Sequence, residues 1–130
     1  QRQMCIRDRR NCVVYTGTHD NETLVGWFKD ITPGEQKQVR EYLNNFHDSD
    51  KEIYKDIICL VMRSVANLCI IPMQDYLGLG NEARINKPST LGCNWKWRMT
   101  EGQFSKELRK EMKTLAKRYG RLNTVPDTIS

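Results

Sequence analysis

The chain holds little of what a metalloprotein, a disulfide scaffold or a membrane protein needs. Its 130 residues include two histidines, His19 and His47. A zinc centre requires clustered nitrogen and sulfur ligands, so no metal is expected, and no motif calls for a cofactor. The five cysteines are odd in number and show no Cys-x-x-Cys spacing. Cys12, Cys59 and Cys69 lie in apolar runs, where a free thiol behaves as a small hydrophobe. A reduced, cytoplasmic setting is expected rather than a disulfide framework. No apolar run approaches the ~20 residues of a membrane span. The N-terminal arginines precede no apolar core, so they do not form a signal peptide. Gly78 and Gly80 precede no Lys-Ser or Lys-Thr pair, which removes a phosphate loop.

What is present is the composition of a globular protein, with 38% hydrophobic and 28% charged residues. The net charge is +5, and its distribution argues against nucleic acid. Gln1–Arg10 carries +3 and the segment Lys106–Arg121 carries +5, leaving −3 elsewhere. A locally basic helix is more often a solvated face than a phosphate-binding one. A small basic module for RNA or an acidic partner nevertheless stays open as a non-enzymatic alternative.

Two short apolar runs, Cys12–Tyr15 and Leu68–Pro72, predict buried strands. The first leads through Gly17 to His19 and Asp20, then to a helical run that includes Leu24, Trp27 and Phe28. Thr32, Pro33 and Glu35 spell a capping box with proline at the first helical position. Val39, Tyr42, Leu43 and Phe46 continue that helix to about His47, which is placed in a surface turn. A third helix is expected to start at Asp48–Asp50, with Ile53, Ile57, Val61 and Val65 as its stripe, widened by Tyr54, Ile58 and Met62. Strand, helices, strand and helix in that order form a βα repeat with a long crossover, which favours a parallel sheet. Gln74 and Asp75 leave the C-terminal end of the second strand. Asn81 to Arg98 reads as an ordered loop. Within it Trp95 and Trp97 suit either a short strand packed on the fold, the favoured assignment, or sugar stacking. A final helix is expected over about 100–119, with Phe104, Leu108, Met112, Leu115 and Tyr119 as its stripe and Gly120 as its stop.

The pair His19-Asp20 admits two roles. Asp20 or Asn21 could simply cap the following helix. A strand that ends in such a pair is also where α/β barrels place catalytic groups. The surrounding residues weigh on the second side. Tyr15-Thr16-Gly17-Thr18-His19-Asp20-Asn21-Glu22-Thr23, followed by Leu24 and Gly26-Trp27, closely resembles a segment of the amylomaltases, the 4-α-glucanotransferases of glycoside hydrolase family 77. The resemblance continues through Pro72–Gly80, Glu82–Asn86 and Asn94–Arg98, and covers nearly all of Asn11 to Leu122.

That resemblance implies an α/β fold, the C-terminal fragment of a (β/α)8 barrel with its last two strand–helix units. A whole barrel needs ~250 residues. Residues 11–122 would form this part, 1–10 a non-native or disordered leader, and 123–130 a frayed tail. The implied activity is transfer of α-1,4-glucan segments between malto-oligosaccharides, starch or glycogen, without a cofactor. Asp20 would be the third, transition-state-stabilising carboxylate, and His19 and Asn86 would bind the sugar. The family's nucleophilic aspartate and acid/base glutamate lie on earlier strands, so the fragment alone is expected to be inactive. An α-amylase-type hydrolase is the alternative within catalysis. One departure bears on Asn86: Asn86-Lys87-Pro88-Ser89-Thr90 has serine where the family's Asn-x-Pro-Gly-Thr has glycine, and serine lacks glycine's ready access to positive φ.

Overall fold

A computed structural model describes residues 10–122. The proposed leader, apart from Arg10, and the proposed C-terminal tail lie outside the described residues. Two short strands, β1 (Val13–Tyr15) and β2 (Leu68–Ile70), pair in parallel with Val13 opposite Leu68, Val14 opposite Cys69 and Tyr15 opposite Ile70. Between them run the helices α1 (Leu24–Asp30), α2 (Pro33–Leu43) and α3 (Tyr54–Met62). After β2 come the single turn α4 (Met73–Tyr76), a 3-10 turn at Asn81–Ala83 and α5 (Lys106–Arg118). A parallel pair cannot be closed by a tight turn, and α1 to α3 supply the crossover.

The two faces of the sheet differ. Val14 packs with Val61 and Ala66, and Cys12 and Cys69 border that cluster. Leu24, Ile58 and Met62 form a second cluster, with Tyr54, Tyr76, Leu115 and Tyr119 at its edge. Burial in this layer pushes the Cys69 thiol and the Tyr76 phenol above their ordinary pKa values. The opposite face carries Val13, Tyr15, Leu68 and Ile70, all apolar and each 46–51% exposed.

The capping box at α2 forms as its residues predict. Thr32 Oγ1 accepts from the Glu35 amide, and Glu35 Oε2 accepts from the Thr32 amide. The other helix starts require correction. α3 begins at Tyr54, not at Asp48–Asp50. Asn45 explains the delay, because its Oδ1 accepts from the amides of His47 and Asp48 while its Nδ2 donates to Asp48 and Asp56. Asp50 is engaged by Arg40 at 2.7 Å. Val65, expected on the α3 stripe, falls beyond the helix and is exposed. α5 starts at Lys106 with Ser105 as its cap, its Oγ accepting from the Leu108 amide. The preceding segment is held as a turn by Gln103, whose side chain accepts from the Thr100 amide. The expected strand at Trp95–Trp97 is absent; Trp95 has φ 61, outside any extended conformation.

Candidate functional site

The loop after β1 and the loop after the 3-10 turn meet at Asp20. The first is shaped by Asn21, whose Oδ1 accepts from both the amide and the hydroxyl of Thr18, at 2.7 and 2.9 Å. Three residues later α1 starts, and Asp20 takes no part in capping it. Thr23 is the cap, its Oγ1 accepting from the Gly26 amide at 3.1 Å. The first helical amide, that of Leu24, donates to Asp75 Oδ1 at 2.8 Å. Asp75 is buried at the start of α4, and its Oδ2 accepts from the Thr16 hydroxyl at 2.5 Å. The sequence assigned Gln74 and Asp75 only to the exit of the second strand. In the fold Asp75 joins the end of β1 to α1 and α4.

Freed from capping, Asp20 turns outward. Its side chain is 49% exposed and that of His19 52%. His19 Nε2 lies 3.2 Å from Asp20 Oδ2. Asn86 Nδ2 donates to Asp20 Oδ1 at 2.6 Å, across 66 residues of sequence. The three residues singled out from the sequence, His19, Asp20 and Asn86, therefore sit together. Ser89 adopts φ 63 in spite of its β-carbon. The loop around it is closed by Asn94, whose Oδ1 accepts from the Lys87 amide and whose Nδ2 donates to Thr90.

Other participants were not evident from the sequence. Arg84 Nη2 donates to the carbonyl of Asp20 at 2.8 Å, and its Nε to the carbonyl of Asn86 at 2.9 Å. Its Nη1 stands 3.8 Å from Glu22 Oε1. Trp95, expected to pack on the fold, instead stacks obliquely on His19, with ring centroids 5.0 Å apart and planes at 32°. The remainder of its surface is open, at 58% exposure. The sequence hinted at Trp95 through its sugar-stacking alternative, and it placed Arg84 in the matching stretch Glu82–Asn86 without a role.

Behind this cluster lies a pocket of ≈ 80 Å³ lined by Gly17, Thr18, His19, Gln74, Asp75 and Arg84, among others. Small-molecule sites usually enclose ~300 Å³ or more. This pocket is too small to enclose a ligand, and Asp20, Asn86 and Trp95 lie outside its lining. The surface beside it presents the Asp20 carboxylate, the His19 imidazole, the Asn86 amide and the Trp95 ring. Such a set accepts and donates hydrogen bonds to a polyhydroxylated ligand. Among the described residues no group of three or more His, Cys, Asp or Glu could hold a metal ion, and no helix is long and apolar enough to cross a membrane.

A family model described as 4-alpha-glucanotransferase matches residues 4–105, and so begins within the ten residues that were expected to lie outside the resemblance. The chain is 47% identical over 113 residues to a 4-alpha-glucanotransferase of Clostridium butyricum, covering 86% of this chain and 23% of that protein. It is 42% identical over 111 residues to the enzyme of the same name from Synechocystis sp., covering 85% and 22%. The Thermus thermophilus 4-alpha-glucanotransferase is 40% identical over 113 residues, covering 85% and 23%. In three dimensions the chain resembles an amylomaltase from Streptococcus agalactiae solved in complex with acarbose. That comparison has a TM-score of 0.83 and 30% identity, and covers 88% of this chain and 23% of that one. The chain spans less than a quarter of the length of these relatives.

Proposed function

The chain belongs to the 4-alpha-glucanotransferase family, glycoside hydrolase family 77, and on that premise we propose that it is a segment of a retaining α-1,4-glucan transferase in which Asp20 stabilises the transition state. It would supply the last two strand–helix units of a (β/α)8 barrel. Three features support a place in such a barrel. The strands are parallel, the site loops leave their C-terminal ends, and the sheet face bearing Val13, Tyr15, Leu68 and Ile70 is apolar yet open. Barrel interiors are filled by such side chains, and barrel active sites occupy the C-terminal rim.

Retaining glycosyl transfer passes through an oxocarbenium-like transition state and a covalent glycosyl-enzyme intermediate. The nucleophile and the acid/base are two further carboxyl groups, expected from outside this segment. As positive charge develops on the sugar ring, the hydroxyls beside the reacting carbon become better hydrogen-bond donors. A carboxylate already oriented toward them binds the transition state more tightly than the ground state, which is the condition for catalysis. Asn86 holds one oxygen of Asp20 and His19 stands beside the other, and both offer polar atoms to the same sugar. The substrate class is α-1,4-glucan, as donor and as acceptor.

The observation that carries this function is the separation of Asp20 from the helix start: Thr23 and Asp75 satisfy the first amides of α1, and Asp20 does not. Neither an amylase-type hydrolase nor a basic binding module is favoured, since the curated relatives named above are glucanotransferases. Asp20→Asn in the full-length enzyme is the test. It keeps the size of the side chain and removes its charge. The turnover number should fall by ~10²–10³, as for the loss of one transition-state hydrogen-bonding group, with KM changed far less and the melting temperature unmoved. Near-normal turnover would remove Asp20 from the mechanism.

A further inference from the structure

Arg84 stands where the two halves of the site are joined. It leaves the 3-10 turn Asn81–Ala83, which is itself anchored. Ala83 is fully buried, Gln74 Nε2 donates to its carbonyl at 3.3 Å, and Asn81 Nδ2 donates to Asp30 at 3.1 Å. From this fixed base the guanidinium, with 18% of its side chain exposed, reaches three points. It donates to the carbonyl of Asp20 at 2.8 Å and to that of Asn86 at 2.9 Å, and lies 3.8 Å from the Glu22 carboxylate. The two carbonyls belong to the residues whose side chains meet at 2.6 Å. One rigid fork therefore fixes the backbone under both partners of the Asn86–Asp20 hydrogen bond. A guanidinium suits this task because its donors are planar and keep their charge at all accessible pH, whereas lysine offers a single flexible point charge.

We infer that Arg84 is a positioning residue for transfer: it touches no sugar, but sets the angle at which Asp20 meets the ring hydroxyls. The inference rests on the transition-state role given to Asp20 above. Misplacing a catalytic group by ~1 Å can cost ~10²-fold in rate, so the effect of losing Arg84 should appear in turnover. A residue that merely stabilised the loop would act the same way whether or not residue 20 carried a charge.

The experiment is a double-mutant cycle in the full-length enzyme with maltotriose as substrate. Arg84→Ala should lower kcat ~10²-fold with KM within about threefold of wild type. In the Asp20→Asn background the same substitution should lower kcat by no more than about twofold, because the carboxylate it positions is already gone. If Arg84→Ala does not fold, Arg84→Lys keeps the aliphatic stem and the charge and runs the same cycle, with a smaller loss and the same non-additivity. An equal factor lost in both backgrounds, or an unchanged kcat, would overturn the positioning role. If Asp20→Asn itself leaves turnover intact, the function proposed for the site falls and this inference falls with it. If Asp20→Asn is crippling and the Arg84 variants are not, the role of Arg84 alone is refuted.

Discussion

Ser89 occupies the left-handed region, φ 63, at the tip of the loop that delivers Asn86. A β-carbon there costs ~1–2 kcal/mol relative to glycine. The cost is tolerated because Asn94 binds the loop on both sides of the tip. Ser89→Gly should therefore stabilise the enzyme by about 0.5–1 kcal/mol, the strain relief being partly offset by the greater freedom of glycine in the unfolded chain. A rise in melting temperature with unchanged turnover is expected; a fall would show that the serine side chain contributes a contact of its own. At this scale His19, Asp20 and Asn86 were legible because their residue types and motif positions announce them. Arg84 was not, because its partners are backbone carbonyls up to 64 residues away, and a carbonyl has no identity in a sequence. Trp95 misled through its alternation with Lys96 and Trp97, which suggests a strand. Its amide instead donates to the Ile85 carbonyl at 2.6 Å, a loop closure that no local pattern announces.

Among the elements, α1 shows how a substitution can reverse its usual sign. Gly26 lies inside this helix, where alanine ordinarily gains ~1 kcal/mol. A β-carbon there would stand 2.1 Å from Asn81 Oδ1. The end of the Asn81 side chain must then turn away from α1 and give up its hydrogen bond to Asp30. Gly26→Ala should destabilise the enzyme by up to about 1 kcal/mol, the displaced Asn81 side chain and its lost hydrogen bond outweighing the helical gain of alanine, with turnover unchanged. A higher melting temperature would contradict the tight approach. The capping box of α2 was legible because it is written within four residues, Thr32 to Glu35. The starts of α3 and α5 were not, because the side chains of Asn45 and Gln103 bind nearby amides and hold turns where the apolar spacing continues a helix.

In the molecule as a whole, element order favoured the parallel pairing of β1 and β2, since a parallel pair needs a long crossover and the helices between the strands supply one. Which barrel strands these are was not readable from residue pattern: two strands and one register contain no count of the others. The apolar face of Val13, Tyr15, Leu68 and Ile70, half-exposed here, fits a layer that the remaining strands would cover. Retaining transfer also demands two carboxyl groups ~5–5.5 Å apart across the scissile bond. Asp20 accepts from Asn86 and lies beside His19, Glu22 lies beside Arg84, and Asp75 is buried under α1. In the function proposed here this segment positions and stabilises, and the bond-breaking groups come from the rest of the enzyme. The measurement that tests this most directly is product analysis after maltotriose is incubated, in parallel, with the 130-residue chain and with the full-length enzyme that carries it. The chain alone should leave maltotriose unchanged, and the full-length enzyme should convert it to glucose and longer oligosaccharides. Longer oligosaccharides from the chain alone, or simple hydrolysis without them by the full-length enzyme, would contradict it.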